Sequence, residues 1–255
     1  MRILVTNDDG IGAAGIHLLE EVARGFSEDV TVVAPAEEQS GKGRSLTISQ
    51  PMRLRTFDDR HHAVTGTPTD AVIAALALIM KDNPPDLILS GINRGSNLAE
   101  DVSYSGTVAA AMEGALAGIP AIALSQVDAR PGMGDTVPFS AAEAWARTAL
   151  EPLIAGLGDW TPNTLVNINF PAIDPEAVKG IRVVRQGLRD YGDPQLEKST
   201  DPRGYDYYWL NVGRVKHQSV ATDLELSDRG YVTVTPLHLD MTHAASMARL
   251  ESLYR

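Results

Sequence analysis

The chain begins Met1-Arg-Ile-Leu-Val-Thr-Asn-Asp-Asp-Gly10, and this stretch decides the fold. The apolar run Ile3-Leu-Val5 predicts a short buried strand, which ends abruptly in polar residues and a glycine. A helical pattern follows from about Ala13 to Phe26. The order of strand, tight turn and helix predicts the first crossover unit of a parallel sheet.

Asp8 and Asp9 lie at the end of this first predicted strand. In an open parallel sheet, ligands bind beyond the carboxyl ends of the strands, so the pair lies where chemistry is expected. Two adjacent carboxylates repel each other, and therefore either one of them holds a proton or a cation lies between them. Taken alone, the pair can equally close a turn and cap the following helix, and both interpretations stay open at this point.

The composition is that of a folded globular protein. The chain has 255 residues, of which 44% are hydrophobic and 22% are charged. No apolar run approaches the roughly 20 residues that span a bilayer, and the N-terminus lacks the basic and apolar regions of an export signal. We therefore expect a cytoplasmic protein without membrane contact. The absence of cysteine excludes disulfides, thiolate catalysis and cysteine-bound zinc.

The chain is strongly acidic, with a formal net charge of −11 and an isoelectric point near 4.9. Binding to long nucleic acids relies on Lys and Arg that neutralise phosphates, so we expect no nucleic-acid polymer as a partner. If the substrate is an anion, its charge must be met locally by a metal ion, by backbone N–H groups or by a few basic side chains.

Strands alternate with helices over residues 1 to about 125, which predicts a mostly parallel sheet flanked by helices, with right-handed crossovers. The fold class is therefore α/β and Rossmann-like. Two short strands at residues 46–49 and 52–56 are predicted to form a hairpin arm. A long polar loop is predicted from Gly91 to Tyr104.

From residue 181 the pattern becomes β-rich. Strand-like segments at 181–185, 207–212 and 231–235 are separated by charged and glycine-rich loops, and no long helix is predicted before about residue 240. We divide the chain into a Rossmann-like core, 1–175, and a β-rich extension with a C-terminal helix, 176–255, which is not an independent domain. Aromatic residues of the extension indicate packing or association: Tyr205, Tyr207, Tyr208 and Trp209.

Four groups of polar residues follow predicted strands or open a helix, and the topology brings them to the carboxyl edge of the sheet. Each alone is ambiguous, because such residues are also ordinary turn residues and helix caps. The groups are Asn7-Asp8-Asp9, Ser40, Gly91-Ile-Asn93 with Asn97, and Ser105-Gly106-Thr107.

Together, these residues describe a site. Two carboxylates, a hydroxyl and a carboxamide form an all-oxygen ligand set, which suits Mg²⁺, Mn²⁺ or Ca²⁺. Ser105-Gly106-Thr107 at a helix start presents backbone N–H groups and two hydroxyls to an anion, and the glycine permits close approach. A hard cation beside an anion site is typical of enzymes that hydrolyse phosphate esters, in which the metal ion activates a water molecule.

Several stretches together resemble the SurE survival-protein family, in the expected order and over nearly the whole chain. In the core they are Thr6-Asn-Asp-Asp-Gly10, Ser90-Gly-Ile-Asn93 with Asn97, and Tyr104-Ser-Gly-Thr-Val-Ala-Ala-Ala-Met-Glu-Gly114. In the extension they are Tyr207-Tyr-Trp-Leu210, Thr222-Asp223 and Gly230-Tyr-Val-Thr-Val-Thr-Pro-Leu237.

The resemblance implies a metal-dependent 5'/3'-nucleotidase that hydrolyses nucleoside monophosphates, with residues 1–175 as the catalytic core. It implies one divalent cation per subunit, Mg²⁺ or Mn²⁺, held by Asp8, Asp9, Ser40 and Asn93. It places Asn97 and the turn Ser105-Gly106-Thr107 against the phosphate. Asp8 and Asp9 are also the catalytic candidates, since one of them orients or deprotonates the attacking water. The resemblance further implies a homodimer or homotetramer in which the C-terminal region reaches across subunits.

The chain departs from the family's usual pattern at several positions near these motifs. The family commonly has smaller residues, or small and hydroxyl residues, at Lys42, Arg44, Arg94 and Ser96. The three additional cations leave the implied metal ligands intact, and they are candidates for altering the preference for substrate charge.

Two other functions compete with this interpretation. In the first, Asp8 is a covalent nucleophile, as in haloacid-dehalogenase-like phosphatases, but these enzymes place their second aspartate two positions after the first. In the second, the chain is a non-catalytic nucleotide-binding module on a doubly wound sheet. A pure binder has little need for two carboxylates and two further oxygen ligands.

Overall fold

The computed structural model describes residues 1–128, 138–190, 195–211, 216–217 and 221–254. In chain order, the strands are β1 Arg2–Thr6, β2 Asp29–Pro35, β3 Leu54–Thr56, β4 His61–Val64, β5 Leu87–Arg94, β6 Ala121–Gln126, β7 Thr164–Phe170, β8 Ile181–Val183, β9 Arg189–Asp190, β10 Gln195–Thr200, β11 Asp206–Asn211, β12 Lys216–His217 and β13 Val232–His238. The α-helices are α1 Ala14–Arg24, α2 Pro68–Ala74, α3 Gly106–Leu116, α4 Ser140–Ala155, α5 Asp223–Asp228 and α6 Ala244–Leu253.

A nine-stranded sheet organises the molecule, with the strand order β3-β4-β2-β1-β5-β6-β7-β13-β8. Six neighbouring strands from β4 to β7 are parallel, whereas β3 and β13 run antiparallel to their partners β4 and β7. The chain adds strands on one side of β1 and then crosses to β5 on the other side. This reversal marks the place where ligands bind in such sheets. The predicted Rossmann-like α/β class is confirmed.

The strand β1 shows why the sheet needs helices on both faces. Ile3 and Val5 pack with α1 and α4 on one face, while Leu4 packs with α2 and α3 on the other. All three side chains are fully buried. An apolar run without alternation therefore predicts a strand covered on both sides, and the strand tip is the place where its polar residues can reach solvent.

The extension is joined to the core sheet. Strands β13 and β8 complete one edge of the nine-stranded sheet, while β10 pairs with β11 and β9 pairs with β12 in separate small sheets. The predicted strands of the extension are confirmed with shifted ends, and the last residue of the predicted strand 207–212 lies outside the described residues. The division at residue 175 stays a prediction.

The predicted hairpin between residues 46–49 and 52–56 is wrong. The strand β3 pairs instead with β4, across a turn in which the Asp58 carboxylate accepts the N–H groups of Arg60 and His61 at 2.8 and 2.9 Å. The preceding segment is held by side chains at the start of α2. The Thr67 hydroxyl donates to the Ser45 carbonyl at 2.7 Å, and Asp70 accepts the Thr47 N–H at 3.2 Å. These contacts replace a strand partner.

The predicted loop 91–104 also begins too early. The strand β5 continues to Arg94, and its pairing with β6 shifts register between Ser90 and Asn93. The loop is therefore shorter, and a 3₁₀ helix, Ala99–Ser103, occupies its second half. The short helix α5 was not predicted, because only six residues form it.

Candidate functional site

Asn7 fixes the turn that carries the two aspartates. Its side-chain amide donates to the Gly10 carbonyl at 2.8 Å, and its side-chain oxygen accepts the Gly10 N–H at 3.2 Å. The two bonds close a tight loop around Asp8 and Asp9. Gly10 has a φ of +98°, which a side chain would disfavour. The turn is therefore held from both ends.

Asp8 is buried at the tip of β1, with 4% of its surface exposed. Its Oδ1 accepts a hydrogen bond from the Thr107 hydroxyl at 2.5 Å. Burial raises the pKa of Asp8 to about 6, against the opposing effect of the bond from Thr107. The neighbouring charge of Asp9 raises it further. A cation beside Asp8 would favour the charged carboxylate.

Asp9 points toward the end of β5. Its Oδ2 accepts the backbone N–H of Arg94 at 3.0 Å. Burial raises the pKa of Asp9 above its usual range, although the hydrogen bond and the charge of Arg94 oppose this. Each aspartate is thus anchored by one oxygen to a different element, Asp8 to α3 and Asp9 to β5.

Ser40 lies in the exposed loop after β2, and the loop is tied to the aspartate turn. The Gln39 N–H donates to the Asp8 carbonyl at 2.7 Å. The Ser40 hydroxyl donates to Glu38 Oε1 at 2.8 Å, and the same oxygen accepts from Arg94 Nη2 at 3.3 Å. A chain of contacts through Glu38 therefore connects Ser40 to the residue that binds Asp9.

Asn93 lies at the end of β5, next to Arg94, and is nearly buried. Its amide nitrogen donates to the Gly95 carbonyl at 2.9 Å, while its Oδ1 accepts no hydrogen bond from the residues that the structure describes. This oxygen therefore has lone pairs available to bind a cation.

The start of α3 is pressed against Asp8. The Ser105 hydroxyl caps the helix by accepting the Val108 N–H at 3.0 Å. A Cβ on Gly106 would lie 2.7 Å from Asp8 Cβ and 3.0 Å from Pro68 Cγ, so only glycine allows this approach. The first N–H groups of a helix have no partner within the helix, and here they lie beside the carboxylate pair.

Asn97 is buried and held by polar side chains of neighbouring strands. Its amide nitrogen donates to the Ser125 hydroxyl at 2.8 Å and approaches the Thr107 hydroxyl at 3.4 Å. Its N–H donates to Asn169 Oδ1 at 2.8 Å, and its carbonyl accepts from Asn167 at 2.7 Å and from Asn169 at 3.2 Å. The network joins the ends of β6 and β7 to α3.

Three members of this network, Ser125, Asn167 and Asn169, are contacts of a candidate site residue that the sequence did not predict. The signal was present in β7, where asparagines at alternate positions interrupt a buried strand. Two such residues share one face, so a polar network on that face could have been predicted.

The three additional basic residues, Lys42, Arg44 and Arg94, differ in their contacts. Arg44 pairs with Glu113 at 3.1 Å, and Arg94 pairs with Glu38 at 3.3 Å. Lys42 is exposed. Since carboxylates offset the charges of both arginines, the local excess of positive charge is smaller than the sequence alone indicates. Their effect on substrate preference stays a prediction.

The residues at this edge fit a hard divalent cation. The available donors are the carboxylates of Asp8 and Asp9, the Ser40 hydroxyl and the free Asn93 oxygen, all of them oxygen atoms. Burial disfavours the charged form of both carboxylates, which a bound cation would offset. Among the described residues, no cluster of three or more His, Asp or Glu side chains offers an alternative metal site.

A cleft of about 410 Å³ opens beside Asp9. The turn after β1, the start of α1, the loop after β2, and the side chains of Arg94 and Phe139 form its walls. The cleft gives a small molecule access to Asp9.

The chain is similar over its whole length to known proteins. Residues 3–193 match the family described as Survival protein SurE. The chain belongs to the SurE family. It is 60% identical to the 5'-nucleotidase SurE of Rhizorhabdus wittichii, over 100% of both chains. It is 52% identical to the 5'-nucleotidase SurE of Erythrobacter litoralis, over 95% of both chains.

A solved SurE structure has the same fold. The crystal structure of the SurE protein from Aquifex aeolicus matches this chain with a TM-score of 0.81 and 39% identity, over 100% of both chains. The family resemblance predicted from the motifs is therefore confirmed. The SurE family generally depends on a divalent metal ion, in agreement with the oxygen donors at the strand tips.

Gly106→Ala tests the packing of α3 on Asp8. The added Cβ must displace Asp8 or the helix, so Mn²⁺ affinity measured by titration calorimetry should fall by about 10- to 100-fold. Gly158→Ala is the matched control, because a Cβ there meets nothing within 4 Å. Equal Mn²⁺ affinities in both variants and the unmodified protein would show that the close approach does not shape the metal site.

Proposed function

We propose that this chain is a divalent-metal-dependent nucleotidase, which hydrolyses nucleoside 5'- and 3'-monophosphates to nucleoside and phosphate. The observation that carries the proposal is the bond of 2.5 Å from Thr107 to Asp8, which joins the start of α3 to the carboxylate pair. In this proposal, that contact brings an anion site and a cation site side by side. The names of the SurE relatives, 5'-nucleotidases, support the same activity.

In this proposal, Asp8, Asp9, Ser40 and Asn93 hold one divalent cation, Mg²⁺ or Mn²⁺. The bound cation supplies positive charge that polarises a phosphoryl oxygen and lowers the pKa of a water molecule. The contacts already present keep the donors in place: Thr107 fixes Asp8, the Arg94 N–H fixes Asp9 and the Gly95 carbonyl fixes Asn93.

The phosphate lies against Asn97, Ser105, Gly106 and Thr107. Backbone N–H groups at the start of α3 and the positive end of the helix dipole favour the dianion. The Asn97 amide is oriented by Ser125, which keeps it directed along the same edge. This arrangement meets the substrate charge locally, as a protein with a net charge of −11 requires.

Hydrolysis breaks the bond between phosphorus and the ester oxygen. The water oxygen joins the phosphate, and a proton passes to the nucleoside oxygen as it leaves. Asp8 or Asp9 orients the attacking water and takes its proton, since each carboxylate has a second oxygen besides the one that accepts its anchoring bond. The neutral nucleoside occupies the cleft beside Asp9, whose walls include the carboxylates of Glu37 and Glu38.

Phosphate release from AMP tests the activity. The unmodified protein should release phosphate with Mn²⁺ or Mg²⁺ and lose this activity in EDTA. Asp8→Ala should reduce the rate by about a thousandfold or more, because it removes a ligand and leaves transition-state charge uncompensated.

Asp240→Ala is the control, since Asp240 is exposed and its carboxylate accepts the Thr242 N–H at 2.8 Å, away from the candidate site. Binding of AMP without hydrolysis under any divalent ion would favour the non-catalytic module. A phosphoenzyme on Asp8, detected in a single turnover in ¹⁸O-labelled water, would favour the dehalogenase-like mechanism instead.

We also propose that the extension, 176–255, mediates assembly into a homodimer or homotetramer. The hairpin of β10 and β11 forms its own two-stranded sheet, which is marginally stable alone in water. Its Tyr207 and Trp209 side chains lie on one face with ring centroids 6.3 Å apart and are 44% and 66% exposed, so a second copy of the chain would bury apolar surface here.

In the described part of the chain, no helix has the length and apolar character needed to cross a bilayer. We propose the cytoplasm as the site of action, where nucleoside monophosphates are available as substrates.

Trp209→Ser tests the assembly surface. Loss of a large exposed aromatic should weaken association by about tenfold or more in sedimentation velocity across a concentration series. Phe57→Ser is the control, since Phe57 is half-exposed near the opposite edge of the main sheet. A monomeric unmodified protein, or equal association of both variants, would contradict the proposal.

A further inference from the structure

The segment between Asn97 and Ser105, which we term the phosphate loop, joins two residues of the proposed phosphate site. Within this loop, Ala99 is fully buried and has a φ of +53°, a left-handed conformation that is uncommon for alanine. A conformation of this kind persists only when the surroundings hold it.

Residues of the extension bind both backbone polar groups of Ala99. Its N–H donates to Asp223 Oδ2 at 2.8 Å, and its carbonyl accepts from Gln186 Nε2 at 2.7 Å. Asp223 is 124 residues away in the sequence. The unusual conformation of Ala99 is therefore imposed from outside the core.

Asp223 is fully buried, and backbone groups satisfy its carboxylate. Its Oδ1 accepts the N–H groups of Gly187 at 2.7 Å and of Leu224 at 2.8 Å, while Oδ2 faces Ala99. A Cβ on Gly187 would lie 2.9 Å from Oδ1, so glycine is required for this approach. One carboxylate thus connects two segments of the extension to the phosphate loop.

Further contacts join the extension to the residues next to Ala99. Leu224 packs in a buried cluster with Leu98 and Ala99. The Arg189 N–H donates to the Glu100 carboxylate at 3.0 Å, and the Arg189 side chain forms an ion pair with Asp101. The extension therefore touches four consecutive residues of the phosphate loop, 98–101.

We propose that Asp223 is a positioning residue for phosphate binding. Through Ala99 it sets the place of Asn97, two residues earlier, and of the loop that leads to Ser105. The metal ligands Asp8 and Asp9 are anchored by Thr107 and Arg94 and do not depend on this contact. This inference rests on the proposed function, because it assigns Asp223 to the same phosphate site.

Asp223→Asn removes the bond to the Ala99 N–H while it can keep the other bonds of this side chain. The asparagine oxygen can keep the bonds from Gly187 and Leu224, while its NH₂ group then faces the Ala99 N–H and cuts that bond. Inhibition by orthophosphate and KM for AMP should both weaken by about tenfold, since a misplaced binding loop loses its contacts to the anion. Mn²⁺ affinity should stay within about twofold of the unmodified protein.

Hydrogen exchange provides a second readout. Amides of residues 97–101 should exchange faster in Asp223→Asn, with the β1 and α3 amides unchanged. Thr222→Val is the matched control, because the Thr222 hydroxyl is buried beside Asp223 and has no hydrogen-bond partner among the residues that the structure describes. This variant should leave KM, orthophosphate inhibition and exchange unchanged.

Unchanged orthophosphate inhibition in Asp223→Asn, or an equal loss of Mn²⁺ affinity, would overturn the proposal. If Asp223→Asn does not fold, Gln186→Met cuts the other bond to Ala99 and should weaken phosphate binding in the same direction. If the unmodified protein binds orthophosphate but hydrolyses no nucleotide, the proposed function fails. In that case, the role of Asp223 is tested by the orthophosphate affinity of Asp223→Asn, measured by calorimetry, and by hydrogen exchange of residues 97–101.

Discussion

The packing of the first turn of α3 on Asp8 is the constraint on which the site depends. Gly106 allows the helix to approach the carboxylate, and the Thr107 hydroxyl bonds to it at 2.5 Å. This contact keeps the buried aspartate at the strand tip and places the positive N-terminal end of α3 beside it. Because β1 lies at the reversal of the strand order, the turn carrying Asp8 and Asp9 borders both halves of the sheet.

Charge is compensated locally throughout this edge of the sheet. Burial raises the pKa of Asp8 and Asp9, while Arg44 and Arg94 are paired with glutamates. In the proposed site, binding of a phosphate dianion to this acidic protein therefore relies on the helix dipole, backbone N–H groups and a cation. The phosphate loop adds a second dependence, because its residue Ala99 is held by Gln186 and Asp223 of the extension. Under this proposal, residues of the extension shape a phosphate site whose other members precede residue 176.

Much of this arrangement could be predicted from local sequence patterns. The apolar run before Asp8 and Asp9 predicted β1, and alternation with helices placed the polar strand ends on one edge. The β3–β4 hairpin could not be predicted, because Thr67 and Asp70 draw the preceding segment toward α2. The bond between Asp223 and Ala99 also has no local signature, since it joins residues 124 positions apart. The alternating asparagines of β7 are visible in the sequence, and a polar network on one face of that strand could have been predicted from them.

Anomalous diffraction from crystals grown with Mn²⁺ would show directly whether the strand tips form a cation site. We predict a manganese peak that contacts both Asp8 and Asp9, with Ser40 and Asn93 as the remaining protein ligands. Orthophosphate added to the same crystals should lie between this peak and the start of α3. A peak at another position, or none at saturating Mn²⁺ with both carboxylates ordered, would contradict the assignment of the aspartate pair as the metal site.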